Sequence, residues 1–241
     1  AALRTLGVGP GDRVAACLPN MPEAVIAMLG AASVGAVWSS CSPDFGPGGI
    51  RDRFGQIAPR ILLVADGYLY NGVAHDRRAV AARLRADLPS VERAVAVPFL
   101  DAAPDLRAMG ADESWEQFLA RGDGAPAAPF SRLPFAHPLV IAYSSGTTGL
   151  PKCLVHSAGG TLLQHLKEHR LHVDLGPRDR LFYFTTCGWM MWNWLVSGLA
   201  SGATLVLAEG APTRPKHRLW SLAADERLTV FGTSAKYLAA S

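Results

Sequence analysis

Apolar and polar positions along this chain follow two different periods, which alternate from one end to the other. Short apolar runs bounded by glycine, proline or charge predict strands at Arg13–Leu18, Ala36–Ser39, Arg60–Ala65, Arg93–Val97, Leu139–Tyr143, Leu181–Thr185, Thr204–Leu207 and Thr229–Gly232. Between them, apolar residues spaced three and four apart predict helices near 22–34, 47–57, 73–86, 114–120, 158–172, 190–200 and 216–225. The strands are apolar throughout rather than at every second position, so both of their faces are covered. Such alternation predicts an α/β fold of mainly parallel sheets with helices on both faces. The stretch 98–136 is rich in proline, alanine and glycine and predicts a surface excursion around one helix. It marks a boundary between a first α/β lobe, 1–136, and a second, 137–241.

The interval from Leu181 to Ala208 holds no charged residue and is long enough to cross a bilayer. Gly188, Ser197, Gly198, Ser201 and Gly202 interrupt it, and its tryptophans crowd the middle rather than the ends. Strand, turn, helix and buried strand account for it without a membrane span.

Composition adds little to this picture and removes several alternatives. Of 241 residues, 49% are hydrophobic and 18% charged, and 23 basic against 20 acidic residues leave a net charge of +3. That balance argues against a nucleic-acid footprint and against an acidic tail. The densest basic stretch, Arg77 to Arg85, is spaced by alanines like the wet face of a helix. Cys17, Cys41, Cys153 and Cys187 form no C-x-x-C pair and read as reduced thiols of a cytosolic protein. Residues 1–16 lack the basic start and apolar block of a signal peptide. The chain begins without methionine, Ala1–Leu6 reads as the tail of a helix, and Ser234–Leu238 reads as the opening of another. A piece of a longer protein is therefore expected.

The chemistry concentrates in Tyr143-Ser144-Ser145-Gly146-Thr147-Thr148-Gly149-Leu150-Pro151-Lys152, directly after an apolar strand. Glycines let backbone N–H groups approach an anion closely, and hydroxyls add donors that can reorient. Lys152 brings a mobile positive charge within reach of a polyphosphate. The common nucleoside-triphosphatase loop, G-x-x-x-x-G-K-[ST], is not matched, because Leu150 and Pro151 separate Gly149 from the lysine. Pro151 also keeps Lys152 from opening a helix in the usual way.

This segment resembles the phosphate-loop signature of the adenylate-forming enzymes, which include acyl-CoA synthetases, luciferases and peptide-synthetase adenylation domains. Cys153-Leu154-Val155-His156-Ser157-Ala158-Gly159-Gly160 is similar to the continuation found in the acetyl-CoA synthetase branch. The resemblance implies that Ser144, Ser145, Gly146, Thr147, Thr148, Gly149 and Lys152 bind ATP phosphates, with Lys152 neutralising their charge. His156 stands open between a structural and a ligand-facing role. Downstream, Phe184 to Trp194 occupies the place of the family's acyl-pocket strand and helix, and Cys187 replaces the branch's aspartate before the shared Gly188-Trp189. Gly188, Trp189, Met190 and Met191 are the implied substrate-pocket residues, with a rigid wall from tryptophan and an adaptable one from methionine. Trp192 and Trp194 read as core. Together with Val37–Gly46 and Gln164–His172, this tryptophan-rich version is similar to the branch that activates acetoacetate. The likeness runs from about residue 8 to the end.

The implied fold is part of the large N-terminal domain of these enzymes, and the implied co-substrates are ATP with Mg2+, acetoacetate and CoA. The family's magnesium-holding glutamate, its Y-x-T-G-D segment and its C-terminal domain with a catalytic lysine are absent from this chain. The family's CoA-contacting arginines find no equivalent near Asp66–Gly72. Three readings follow: an acetoacetate ligase, a ligase for another short acid such as acetate or propionate, and a non-catalytic nucleotide-binding module. One competing motif, His165-Leu166-Lys167-Glu168-His169, fits the inverted zinc-protease pattern. A solvated helix face accounts for it more simply, since a catalytic zinc needs a third ligand.

Overall fold

The computed structural model describes residues 1–125, 130–144 and 149–240. The first half runs α1 (Ala2–Thr5), β1 (Arg13–Cys17), α2 (Pro22–Ser33), β2 (Val37–Cys41), α3 (Pro47–Phe54), β3 (Ile61–Ala65), β4 (Gly67–Tyr70), β5 (Val73–Asp76), α4 (Arg78–Asp87), β6 (Arg93–Val97), α5 (Leu106–Met109), β7 (Glu113–Ser114) and α6 (Trp115–Ala120). There follow β8 (Pro138–Tyr143), β9 (Cys153–Ser157), α7 (Ala158–Lys167) with a π-helical turn Glu168–His172, and β10 (Arg180–Tyr183). The last elements are α8 (Met190–Ser197) with a 3-10 turn Gly198–Ser201, β11 (Thr204–Val206), α9 (Arg218–Asp225), β12 (Val230–Gly232) and α10 (Ala235–Ala240).

Successive residues of β1 show why its sequence is apolar throughout. Val14, Ala16 and Leu18 pack under α2 and α6, while Ala15 and Cys17 pack under α3 and α4. The strand belongs to a seven-stranded sheet of order β7-β6-β3-β1-β2-β8-β9. Every neighbouring pair in it is parallel except β8–β9, which is antiparallel. A second, three-stranded parallel sheet has the order β11-β10-β12. The α/β class and the mainly parallel sheets agree with the reading of the sequence.

Three expectations need correction. The boundary at 136–137 falls within the seven-stranded sheet, because β8 pairs with β2 and β9 pairs with β8. The second sheet starts at Arg180, so β8 and β9, which flank the segment 144–152, belong with the first. Residues 73–76, expected in a helix, are the return strand of a hairpin in which Tyr70 pairs with Val73. Asn71 and Gly72 form its two-residue turn, both with positive φ (49° and 81°). The excursion 98–136 also carries more structure than one helix, since β7 extends the sheet edge beside β6. The uncharged interval 181–208 folds as strand, helix and strand, and no helix among the described residues is long and apolar enough to cross a membrane.

Candidate functional site

Parallel strands direct their carboxyl ends to one side, and α/β proteins bind ligands there. The loops that leave β1, β2, β3, β8, β10 and β11 carry most residues singled out above. Ser145, Gly146, Thr147 and Thr148 lie outside the described residues. The neck of their loop is described: the Ser144 N–H donates to the Lys152 carbonyl at 3.0 Å, and the Lys152 N–H lies 3.3 Å from Ser144 Oγ. Gly149 adopts φ +104°, a conformation that side-chain-bearing residues rarely accept. Gln56, just beyond α3, donates to the Pro151 carbonyl at 2.9 Å and ties the loop's descending arm to the body. Lys152 itself is exposed. The segment between Tyr143 and Cys153 therefore connects two antiparallel strands, β8 and β9, rather than a strand and a helix. His156 lies on the exposed side of β9, opposite Val140.

Behind the neck, Ser39 Oγ donates to the Ile141 carbonyl at 2.9 Å and lies 2.8 Å from the Tyr143 hydroxyl. Burial pushes the Tyr143 phenol well above its ordinary range, so it stays neutral. The Arg53 guanidinium sits 4.7 Å from the Phe45 ring centre and 5.8 Å from that of Tyr143.

The proposed acyl-pocket residues divide into three environments. Gly188 packs against the loop leaving β2: a Cβ there would stand 3.1 Å from the Ser42 backbone nitrogen and 3.4 Å from the Phe45 ring. Trp189 is 58% exposed, its N–H donating to the Thr186 carbonyl at 3.1 Å. Met190 and Met191 line a groove of about 390 Å³ with His156, Gln164, Glu168 and Trp194. The fold thus gathers the two methionines with His156, while Gly188 and Trp189 are not part of that groove's lining. Cys187 is buried, its carbonyl accepting from Ser40 Oγ at 2.7 Å and its thiol lying 3.2 Å from the Pro19 carbonyl. Burial holds that thiol far above its usual range, so it is no nucleophile.

A second cleft, of about 340 Å³, opens between the two sheets and is lined by Ser42, Asp44, Tyr68, Tyr70, Thr185 and Glu209, among others. Its described lining contains no basic side chain. Glu209 went unnoticed in the sequence because nothing local marks it. Burial raises its carboxyl above the ordinary range, against the lowering effect of the Asn20 N–H that donates to it at 3.0 Å.

The two histidines of the His165–His169 motif do not lie on a wet face. Both rings are buried against α8, with His165 Nδ1 2.8 Å from Ser197 Oγ and His169 Nε2 donating to the Trp194 carbonyl at 2.9 Å. Glu168 accepts from the Trp194 indole N–H at 2.8 Å, so it locks the same two elements. No group of three or more His, Cys, Asp or Glu among the described residues could hold a metal ion.

Known proteins place this arrangement. Acetoacetyl-coenzyme A synthetase of Rhizobium meliloti (strain 1021) is 58% identical over 240 residues, which is 98% of this chain and 36% of that protein. Acetoacetyl-CoA synthetase of Gallus gallus is 49% identical over 244 residues, covering 99% of this chain and 37% of its own length. The solved acetoacetyl-CoA synthetase from Streptomyces lividans superposes with a TM-score of 0.90 at 50% identity, over 99% of this chain and 36% of the other. The chain thus spans little more than a third of the length of the relatives it matches. The family model for the AMP-binding enzymes matches residues 1–239, and the chain belongs to that family.

Proposed function

We propose that this chain is the phosphate-gripping part of an AMP-forming ligase that joins acetoacetate to coenzyme A. In the first half-reaction the acid's carboxylate attacks the α-phosphorus of ATP and pyrophosphate leaves. In the second, the CoA thiol attacks the acyl carbon of the adenylate and AMP leaves. The work of the protein in the first step is to hold two mutually repelling anions and to neutralise the departing pyrophosphate.

The observation that carries the reading is the glycine- and hydroxyl-bearing loop leaving the carboxyl end of β8, closed at its neck between Ser144 and Lys152. Ser144, Ser145, Gly146, Thr147, Thr148, Gly149 and Lys152 would grip the β- and γ-phosphates. Magnesium would accompany the nucleotide and offset the charge of its phosphates. The groove beside Met190 and Met191 would receive the acyl group, with Gly188 and Trp189 shaping the turn that precedes it. Four unpaired cysteines accord with a reducing, cytosolic setting. The similarity to acetoacetyl-CoA synthetases favours acetoacetate over acetate or propionate.

Two measurements on the full-length ligase test this. Lys152→Ala should slow acid-dependent ATP–pyrophosphate exchange about 100-fold or more. Unchanged exchange and unchanged ATP affinity would sink the phosphate-loop assignment. Across a panel of short acids, acetoacetate should give the highest kcat/KM; a preference for acetate would overturn the substrate assignment and leave the ligase reading standing.

A further inference from the structure

The dipeptide Pro19-Asn20 follows β1 and touches three separate parts of the second half of the chain. The Pro19 carbonyl lies 3.2 Å from the Cys187 thiol. Asn20 Oδ1 accepts from the Trp192 indole N–H at 2.9 Å, and Asn20 Nδ2 donates to the Ala208 carbonyl at 3.4 Å. The Asn20 backbone N–H donates to Glu209 at 3.0 Å. Asn20 is only 3% exposed, and Trp192 is fully buried and stacked on Trp38 at 6.3 Å.

The chemistry leaves little choice of residue at this position. An indole N–H can only donate and a carbonyl can only accept, so the side chain between them must offer one acceptor and one donor. Asparagine does so with its amide. Aspartate lacks the donor and leucine lacks both.

The contacts fall at both ends of one short span. Cys187 is held by Pro19 and by Ser40, and Trp192 is held by Asn20, while Trp189 and Met190 between them remain exposed. We propose that Asn20 is a positioning residue for acid binding: by anchoring Trp192 it sets where α8 begins and so where Met190 and Met191 stand. This inference rests on the ligase reading above and on the acyl role given there to the Met190–Met191 groove. Asn20 touches no proposed substrate position, and its effect is transmitted through the indole.

The test uses the full-length ligase and acid-dependent ATP–pyrophosphate exchange. Asn20→Leu should raise KM for the acid about tenfold while KM for ATP stays within about twofold, because the phosphate loop rests on β8 and β9 and not on Asn20. Trp192→Phe removes the same hydrogen bond from the other side and serves if Asn20→Leu fails to fold. It should give the same split, and the double variant should be no worse than either single one. An active wild type whose variants leave KM for the acid unmoved overturns this inference alone. So does a rise in both KM values together, or additive losses in the double variant. A wild type with no acid-dependent exchange overturns the ligase reading and this inference with it.

Discussion

At Gly188 the two sheets approach closely enough that a methyl group has no ready place, with the Ser42 backbone nitrogen only 3.1 Å from where its carbon would lie. Backbone yields less easily than a side-chain tip, so Gly188→Ala should cost about 1–2 kcal/mol, read as a lower denaturant midpoint. Asp66 makes the complementary case. Its buried carboxylate accepts from the N–H groups of Phe99 (2.8 Å), Leu100 (3.0 Å) and Asp101 (2.7 Å), tying the end of β3 to the chain leaving β6. Asp66→Ala would strand three backbone donors and should cost about 2–4 kcal/mol in chemical unfolding, whereas Asp66→Asn should cost less. Neither role was legible in the sequence. Gly188 could be read as part of a tryptophan-rich motif and Asp66 as part of a loop, but the partners of each lie far away along the chain.

The same contrast between local signal and distant partner governs the elements. The helix over 158–172 was legible from its apolar spacing, but its two histidines read as a wet face because histidine is ambivalent toward burial. In the fold, α7 and its π-helical turn press His165 and His169 onto α8. Burial is the main cause that holds both imidazoles below the ordinary histidine range; for His165 the neighbouring His169 and His156 add to it, while Glu168 opposes it for both and the Trp194 carbonyl opposes it for His169. The folded state thus favours neutral rings. Stability is complete above the unfolded-state value of about 6.5 and is lost as pH falls from there toward the folded-state values. Lowering the pH from about 7.5 to about 5.5 should therefore lower the denaturant midpoint, and His169→Gln should flatten that dependence. The β4–β5 hairpin was missed for a different reason. Its Asn71-Gly72 turn is a strong local signal, but the alanine- and arginine-rich sequence that follows it masked the strand before α4.

Over the whole molecule, loops from both sheets meet at their carboxyl ends, and the cleft between them takes residues that follow β2, β3, β10 and β11. The chain covers only 36% of the Rhizobium relative's length. Expressed by themselves, these 241 residues should give pyrophosphate exchange at least about 100-fold below that of a full-length ligase, a difference a radiochemical assay reads directly. Periodicity, which needs only neighbouring residues, determined the α/β class and most strands and helices, while the run of glycines, hydroxyls and a lysine at 144–152 marked the proposed phosphate loop by composition alone. Pairing needs partners. That β9 follows the loop as an antiparallel strand, that β8 joins the first sheet, and that Asn20 reaches Trp192 across 172 residues were decided only by tertiary structure. A strand's edge and a buried amide look alike in sequence whichever neighbour they meet, because hydrogen-bonding groups carry no address until packing brings their complement within about 3 Å.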